Sequence, residues 1–448
     1  MKISFSETGR QVLHIAMGGF ALLLRDLTWP QAAALAVAAL LFNLFVLPRI
    51  GGHTLYRPVD HARGYPPGIL LYPLAVLLLI LVFPARPDIV AATWGILACG
   101  DGFATLAGRG IASAPLPWNR EKTVAGTIAF ASAGGAAAVL LANWTAPAVA
   151  LRPDPRFLLW APLAAAVLAA LVETIPVRLD DNLSVPAAAA TVLWTFSLVT
   201  RDAWAASADG VVRSLAPALI VNVATAWLGW RARTVTVSGG VTGAAIGVLV
   251  FACTGWRGWV LLVAAFLAAA LVSRLGLTRK ALLGIAEARG GRRGAGNAVA
   301  NTGVAALAAV LAVTTPWREL ALVALAAALV AGASDTVASE IGKAWGRRTS
   351  RVTTFSRVPP GTSGAISLEG TTAGLASATA LAAVACALRL VSAPAILVIV
   401  AAATVSAFVE SALGATLEAP GILNNDLLNF INTASAAGLA VALVRILS

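Results

Sequence analysis

Apolar runs long enough to cross a membrane recur along the whole chain, separated by polar or Pro/Gly breaks. They fall at roughly 11–25, 31–48, 68–84, 87–107, 123–142, 157–175 and 185–200 in the first half. The second half continues at roughly 212–230, 236–253, 256–273, 295–313, 318–341, 364–390, 392–416 and 427–447. This pattern predicts about fifteen membrane helices, some short, tilted or broken. The polar stretch RDAWAASADG (201–210) reads as a boundary between two domains, 1–205 and 206–448.

Composition agrees with the pattern. Hydrophobic residues make up 59% of the chain, charged residues 12%, and the mean hydropathy is +0.85. A soluble domain of this length is excluded, and an all-α integral membrane fold, a polytopic helical bundle, is expected. The first apolar run contains His14 and is followed by Arg25, Asp26 and Trp29-Pro30 instead of a small-residue cleavage site, so it reads as a span and not as a signal. Cys99, Cys253 and Cys386 lie in apolar surroundings without metal-ligand spacing and read as small core residues.

The net charge of +12 collects in short loops without interleaved aromatics, which argues against nucleic acid as a partner. With the N-terminus in the cytoplasm, roughly two-thirds of Lys and Arg fall on the cytoplasmic side, the bias expected of a membrane protein. The second half is the richer in cations, with Arg279, Lys280, Arg289, Arg292, Arg293, Lys343, Arg347 and Arg348, as a polyanionic substrate requires.

One polar constellation occurs twice. ACGDGFATLAGR places Asp101, Thr105 and Arg109 at i, i+4 and i+8, on one helical face, and AGASDTVASEIGK repeats the face as Asp335, Ser339 and Lys343. Each is followed by a Gly/Thr-rich segment read as a helix start, KTVAGT with Lys122, Thr123, Gly126 and Thr127, and GTSGAISLEGTTAG with Gly361, Thr362, Ser363, Gly364 and Glu369. An intramembrane glutamate comes next, Glu173 or Glu410, and an acid-amide turn closes each copy: Asp180, Asp181 and Asn182, or Asn424, Asn425 and Asp426. Matching order makes chance repetition a poor explanation, so two parallel, repeat-like domains with related reactions are expected. In this topology both copies lie at cytoplasmic helix ends.

The chemistry follows from the residue types. An aspartate inside a membrane is expensive unless it pairs or binds a cation, so Asp101 with Glu173, and Asp335 with Glu410, are candidate ligands for Mg2+ or Mn2+. A structural ion pair with Arg109 or Lys343 is the plain alternative. Gly/Thr-rich helix starts offer free N–H groups to phosphate, although small residues also pack membrane helices.

These stretches resemble known families. The first half resembles the membrane polyprenol and phytol kinases, the group that contains dolichol kinase, through GRQVLHIAMGG (Arg10, His14), GDGFATLAGR, EKTVAGT, and VET followed by DDNLSVP. The second half resembles the phytyl-phosphate kinases through SGGVTGAAIG, RKALLGIAEARGGRRGAGNAVAN (with Asn297 and Asn301), SDTVASEIGK, PPGTSGAISLEGTTAG and NNDLLNFINT. The resemblance implies a fused, bifunctional enzyme. It would phosphorylate an isoprenoid alcohol and then its monophosphate, with CTP or another nucleoside triphosphate as donor. A neutral alcohol needs a base, for which Asp180 and Asp181 stand ahead of His14, whereas a phosphate acceptor needs cations. The family pattern Lys-Thr/Ser-x-Glu-Gly is split between the copies: the first has Lys122 but Ala125, and the second has Glu369 but Ile366. A lipid cytidylyltransferase and a prenyl-phosphate transporter or flippase remain as alternatives.

Overall fold

The computed structural model describes residues 7–50, 67–175, 179–285, 291–418 and 422–447. Arg289 lies outside the described residues. The chain forms two compact units, Met1–Leu198 and Val199–Ser448. The division falls just ahead of RDAWAASADG, which is helical: Thr200 caps a helix over Arg201–Arg231, its Oγ1 accepting from Ala203 N at 3.4 Å. The polar decapeptide that reads as a boundary is thus the start of the second unit's first helix.

In the first unit, α1 (Glu7–Met17) tightens into a 3-10 turn, and α2 (Trp29–Val46) follows. Next come α3 (Pro67–Val82), α4 (Pro87–Gly110), α5 (Val124–Thr145), α6 (Pro155–Glu173) and α7 (Asp181–Ser197). The second unit contains α8 (Arg201–Arg231), α9 (Val237–Arg274), a short α10 (Leu277–Leu282), α11 (Ala295–Thr314) and α12 (Arg318–Trp345). It ends with α13 (Leu368–Ala387), α14 (Ala393–Glu418) and α15 (Asn425–Leu447). Among the described residues, two short antiparallel strand pairs interrupt the helices, β1 (Pro115–Leu116) with β2 (Asn119–Thr123), and β3 (Thr349–Arg351) with β4 (Ala365–Ser367).

Among the described residues, eleven helices are long and apolar enough to cross a membrane, against about fifteen expected. The run at 11–25 splits into a short helix and a 3-10 turn, and those at 68–84 and 185–200 give shorter helices, α3 and α7. The runs at 236–253 and 256–273 join as α9. Straight, 38 residues of helix would reach about 57 Å. Instead α9 turns back at Gly255, whose φ of +71° suits a residue without a Cβ. Its two ends meet at Arg293: Thr236 N donates to Arg293 O at 3.0 Å, and Arg293 Nη2 donates to Ser273 Oγ at 3.3 Å.

The most buried span of each unit carries the candidate aspartate. In α4 67% of the apolar window is buried, and in α12 78%. Their cores are largely Ala with Leu, Ile and Val, among them Ile96, Leu97 and Ala98 in α4 and Leu325 to Ala331 in α12. Small residues let backbones approach without a solvent-driven squeeze, which is how helices associate in lipid. Several buried hydroxyls of the spans, those of Thr145, Thr254 and Thr336 among them, bond to carbonyls one turn back and are satisfied within their own helices.

Candidate functional site

In the first unit the hairpin β1–β2 positions the key cation. Trp118 Nε1 donates to Thr174 Oγ1 and Asn119 Nδ2 to Thr174 O, each at 3.1 Å, which pins the hairpin to the end of α6. Lys122, on β2, then reaches Glu173 Oε1 at 2.6 Å and Asp181 Oδ2 at 3.3 Å. Burial pulls the Lys122 ammonium down, but Asp181, Glu173 and Asp101 outweigh it and hold its pKa above the usual lysine value.

Asp101 follows a π turn over Ile96–Gly100, a local widening common at functional sites. Its carboxylate lies 3.5 Å from His14 Nε2, which is also 3.2 Å from Leu97 O. His14 stacks edge-on against Tyr72, with ring centroids 4.7 Å apart, and the Tyr72 hydroxyl accepts from Trp94 Nε1 at 2.7 Å. Oxygen atoms of Asp101, Glu173 and Asp181 lie within 4.8 Å of one another, a spacing that one cation can bridge.

This cluster forms the polar head of a cavity of about 1370 Å3, larger than most small-molecule sites. Leu13, Phe20, Leu35, Phe42, Val76 and Ile80 are among its apolar walls, and Arg10, Thr105, Asp180 and Asn182 also line it. Asp180 is occupied locally: its Oδ1 caps α7, accepting from Asn182 N at 2.9 Å and Nδ2 at 2.8 Å. That leaves Asp181 as the member of the pair that joins the carboxylate cluster.

The second unit has a smaller, more polar cavity of about 310 Å3. Asp335, Ser339 and Lys343 all line it, as their shared face requires, together with Glu410, Asn425 and the turn of Gly361, Thr362, Ser363 and Gly364. The Asp335 and Glu410 carboxyl groups face each other within hydrogen-bonding range. Lys343 Nζ lies 2.8 Å from Glu340 Oε1, and the fully buried Lys280 bonds the other oxygen of Glu340 and, at 2.8 Å, Ser273 O. Glu340 and Lys280 were not singled out together in the sequence. Only the i, i+3 spacing of Glu340 and Lys343 hinted at half of the arrangement.

Several expected site residues are elsewhere. Arg109 is exposed and does not line the first cavity. Thr123, Gly126 and Thr127 serve the helix and its packing: Thr123 Oγ1 caps α5 by accepting from Gly126 N at 3.2 Å, and Thr127 Oγ1 donates to Thr123 O. A Cβ on Gly126 would stand 3.1 Å from Ala104 O, so this glycine lets α5 cross α4 closely. Gly370 does the same in the second unit, where a Cβ would stand 2.5 Å from Ala338 O. Gly361 to Gly364 do not open a helix. They form a turn ahead of β4, with φ of +85° and +70° at the two glycines, and α13 begins only at Leu368, capped by Ser367.

Arg292 is exposed, and neither it nor Glu369 lines the second cavity. Arg293 is built into the scaffold, its Nη1 donating to Asn297 Oδ1 at 2.9 Å. Asn301 follows on the same face, its Nδ2 bonded to Asn297 O. The Asp426 carboxylate packs at the start of α11, where a Cβ on Gly296 would stand 2.2 Å from its Oδ2. The missing groups of the split family pattern have simple accounts. Positions 125 and 369 both lie off the cavities, so Ala125 removes no cavity group, and Lys343 supplies the cation that Ile366 does not.

Three comparisons bear on what this arrangement belongs to. An uncharacterized membrane protein of Synechocystis sp. is 39% identical over 202 residues, 44% of this chain and 78% of that protein. Protein VTE6 of Arabidopsis thaliana is 32% identical, covering 44% of this chain and 61% of its own length. The probable phytol kinase 2 of Glycine max is 31% identical, covering 43% and 66%. The chain thus spans just under two thirds of these two plant proteins. No solved structure matches. Residues 220–437 match the family described as integral membrane protein DUF92, and with the coverage of the Synechocystis protein this establishes that the chain belongs to the DUF92 family of multi-pass membrane proteins.

Proposed function

We propose that the chain is a bifunctional membrane kinase that phosphorylates an isoprenoid alcohol in its first unit and the resulting monophosphate in its second. The observation that carries this reading is the first cavity, whose largely apolar lining also includes Asp101, Lys122, Glu173 and Asp181. A long-chain alcohol fits this division of polarity, with its hydroxyl at the carboxylates. The names of plant relatives, probable phytol kinases at about 30% identity, support the same chemistry.

The cluster suits Mg2+ or Mn2+, since its donors are hard oxygens within bridging distance. Asp101 and Glu173 would hold the ion in the first unit, with Asp181 beside them as the base, and Asp335 and Glu410 would hold it in the second. When bound, such an ion neutralises charge on the transferring phosphoryl group.

The protein's own residues do the rest. Asp181 accepts the proton of the alcohol as its oxygen bonds to the terminal phosphorus of CTP or another nucleoside triphosphate, and the nucleoside diphosphate leaves. Lys122 attracts the phosphate and holds Glu173 in place. His14 orients Asp101. In the second unit the acceptor is already ionised, so no base is needed, and Lys343 beside the Gly361 to Gly364 turn offsets repulsion between two anions. Both sites face the cytoplasm in this reading, where nucleotides are available.

Mass analysis of products tests it. Purified protein incubated with phytol or geranylgeraniol and CTP, ATP, GTP or UTP yields prenyl monophosphate and diphosphate. A CDP-linked lipid would identify a cytidylyltransferase instead, and unchanged nucleotide would favour transport.

A further inference from the structure

Lys280 reads in the sequence as one of the cations that receive a polyanionic substrate, and the structure gives it another place. It is fully buried on α10 and does not line the second cavity. Its Nζ donates to Ser273 O at 2.8 Å, near the end of α9, and to Glu340 Oε2 on α12. α10 lies so close to α12 that a Cβ on Gly276, just ahead of it, would stand 2.9 Å from Ala344 Cβ. The Lys280 ammonium is therefore fixed between two long helices.

Glu340 is 1% exposed and also stays off the cavity. Lys343, whose side chain is 27% exposed, bonds Glu340 Oε1 at 2.8 Å and does line the cavity. One carboxylate thus joins a cation closed off from solutes to a cation open to them. Among the described residues lining the cavity, Lys343 is the cation, against Asp335, Glu410 and Glu418. A Lys343–Glu340 pair by itself would be neutral, and the acids would then repel an entering phosphate. With Lys280 on its other oxygen, Glu340 is already balanced, and the trio keeps one positive charge whose accessible end is Lys343 Nζ.

We propose that Lys280 is a positioning residue of the second site: by balancing Glu340 it leaves the charge of Lys343 available to a phosphate anion, while Glu340 holds the flexible lysine arm in place. This rests on the reading of the second cavity as a site for a phosphate-bearing substrate. A lysine held in this way loses less freedom when the anion binds.

Equilibrium dialysis of radiolabelled inorganic pyrophosphate against the detergent-purified full chain, in buffer containing Mg2+, tests this without turnover. The background is Lys122→Met, which removes the cation of the first cluster, and the part of the binding lost in Lys343→Ala reports the second cavity. Lys280→Met is expected to weaken that binding about ten-fold, the scale of one charge-assisted interaction. Lys280→Met/Glu340→Gln removes both buried charges, leaves an amide oxygen for Lys343, and is expected to bind as the background does. A scaffold role for Lys280 gives no such recovery, and the double variant carries the test if Lys280→Met does not fold. In turnover, Lys280→Met raises the KM for the prenyl monophosphate with kcat nearly unchanged. Unaltered pyrophosphate affinity in a folded Lys280→Met, weak binding by the folded double variant, or no Lys343-dependent binding in the background overturns the proposal. The expected binding pattern in a protein that labels no prenyl phosphate upholds the charge balance while refuting the kinase reading.

Discussion

Lys122 Nζ lies 2.6 Å from Glu173 Oε1, joining a hairpin residue to the last residue of α6, 51 positions away. Glu173 is 5% exposed, so this contact keeps a buried carboxylate from standing alone. Substituting Lys122→Met is predicted to reduce alcohol phosphorylation by about 100-fold, the usual scale for losing one preorganised charge donor. Phosphorylation of the monophosphate stays near wild type, and separate assays of the two substrates check the difference.

The same ion pair sets a pH response. The pKa of Lys122 is raised on folding, so its stabilising effect is complete below the unfolded value, about 10.4, and is lost as pH rises through the folded value. Melting temperature is expected to fall more steeply above about pH 10.4 in the wild type than in Lys122→Met. Equal slopes would contradict the contact.

The two crossing glycines make an ordered pair. A Cβ at Gly370 comes to 2.5 Å from a backbone oxygen and at Gly126 to 3.1 Å. Gly370→Ala is predicted to be the more damaging, with overpacking costs of about 1–3 kcal/mol. Thermal unfolding in detergent gives the order directly.

Arg293 and Lys343 separate scaffold from site. Arg293→Ala breaks the bonds to Asn297 and Ser273, and so lowers the melting temperature while leaving the nucleotide KM of the folded protein unchanged. Lys343→Ala is predicted to raise that KM by about ten-fold, equivalent to roughly 1.4 kcal/mol of binding. Parallel melting and kinetic curves on both variants decide it.

Chain-length preference is predicted to depend on α2. Ala36 and Ala39 line the first cavity on one side. Ala36→Trp fills part of it and is expected to lower use of a twenty-carbon alcohol about ten-fold relative to a ten-carbon one. Competition between geraniol and geranylgeraniol reads the shift.

The parts of the site that were legible in sequence are those set by helical periodicity. Asp335, Ser339 and Lys343 share a face at i, i+4 and i+8, and all three reach one cavity. The most buried spans hold the aspartates, and the cost of a buried charge makes such residues stand out in an apolar run. What was not legible depends on where segments end in space. The hairpins are too short to show a two-residue period, so Lys122 and Gly361 to Gly364 were read as helix starts although they lie before the caps Thr123 and Ser367. Arg109 continues the helical face of Asp101 in the sequence, but the cavity closes before that turn. Arg293 looked like a substrate cation because sequence gives charge without partners, and its partners Ser273 and Asn297 come from two different helices.

The central claim, two phosphorylation steps at two aspartates, is tested most directly by transfer of terminal label from CTP and other nucleotides. Phytol and phytyl monophosphate serve as separate acceptors for wild type, Asp101→Ala and Asp335→Ala. The prediction is that Asp101→Ala loses labelling of the alcohol alone and Asp335→Ala labelling of the monophosphate alone. Loss of both activities in either variant, or labelling of neither acceptor by the wild type with any nucleotide, contradicts it.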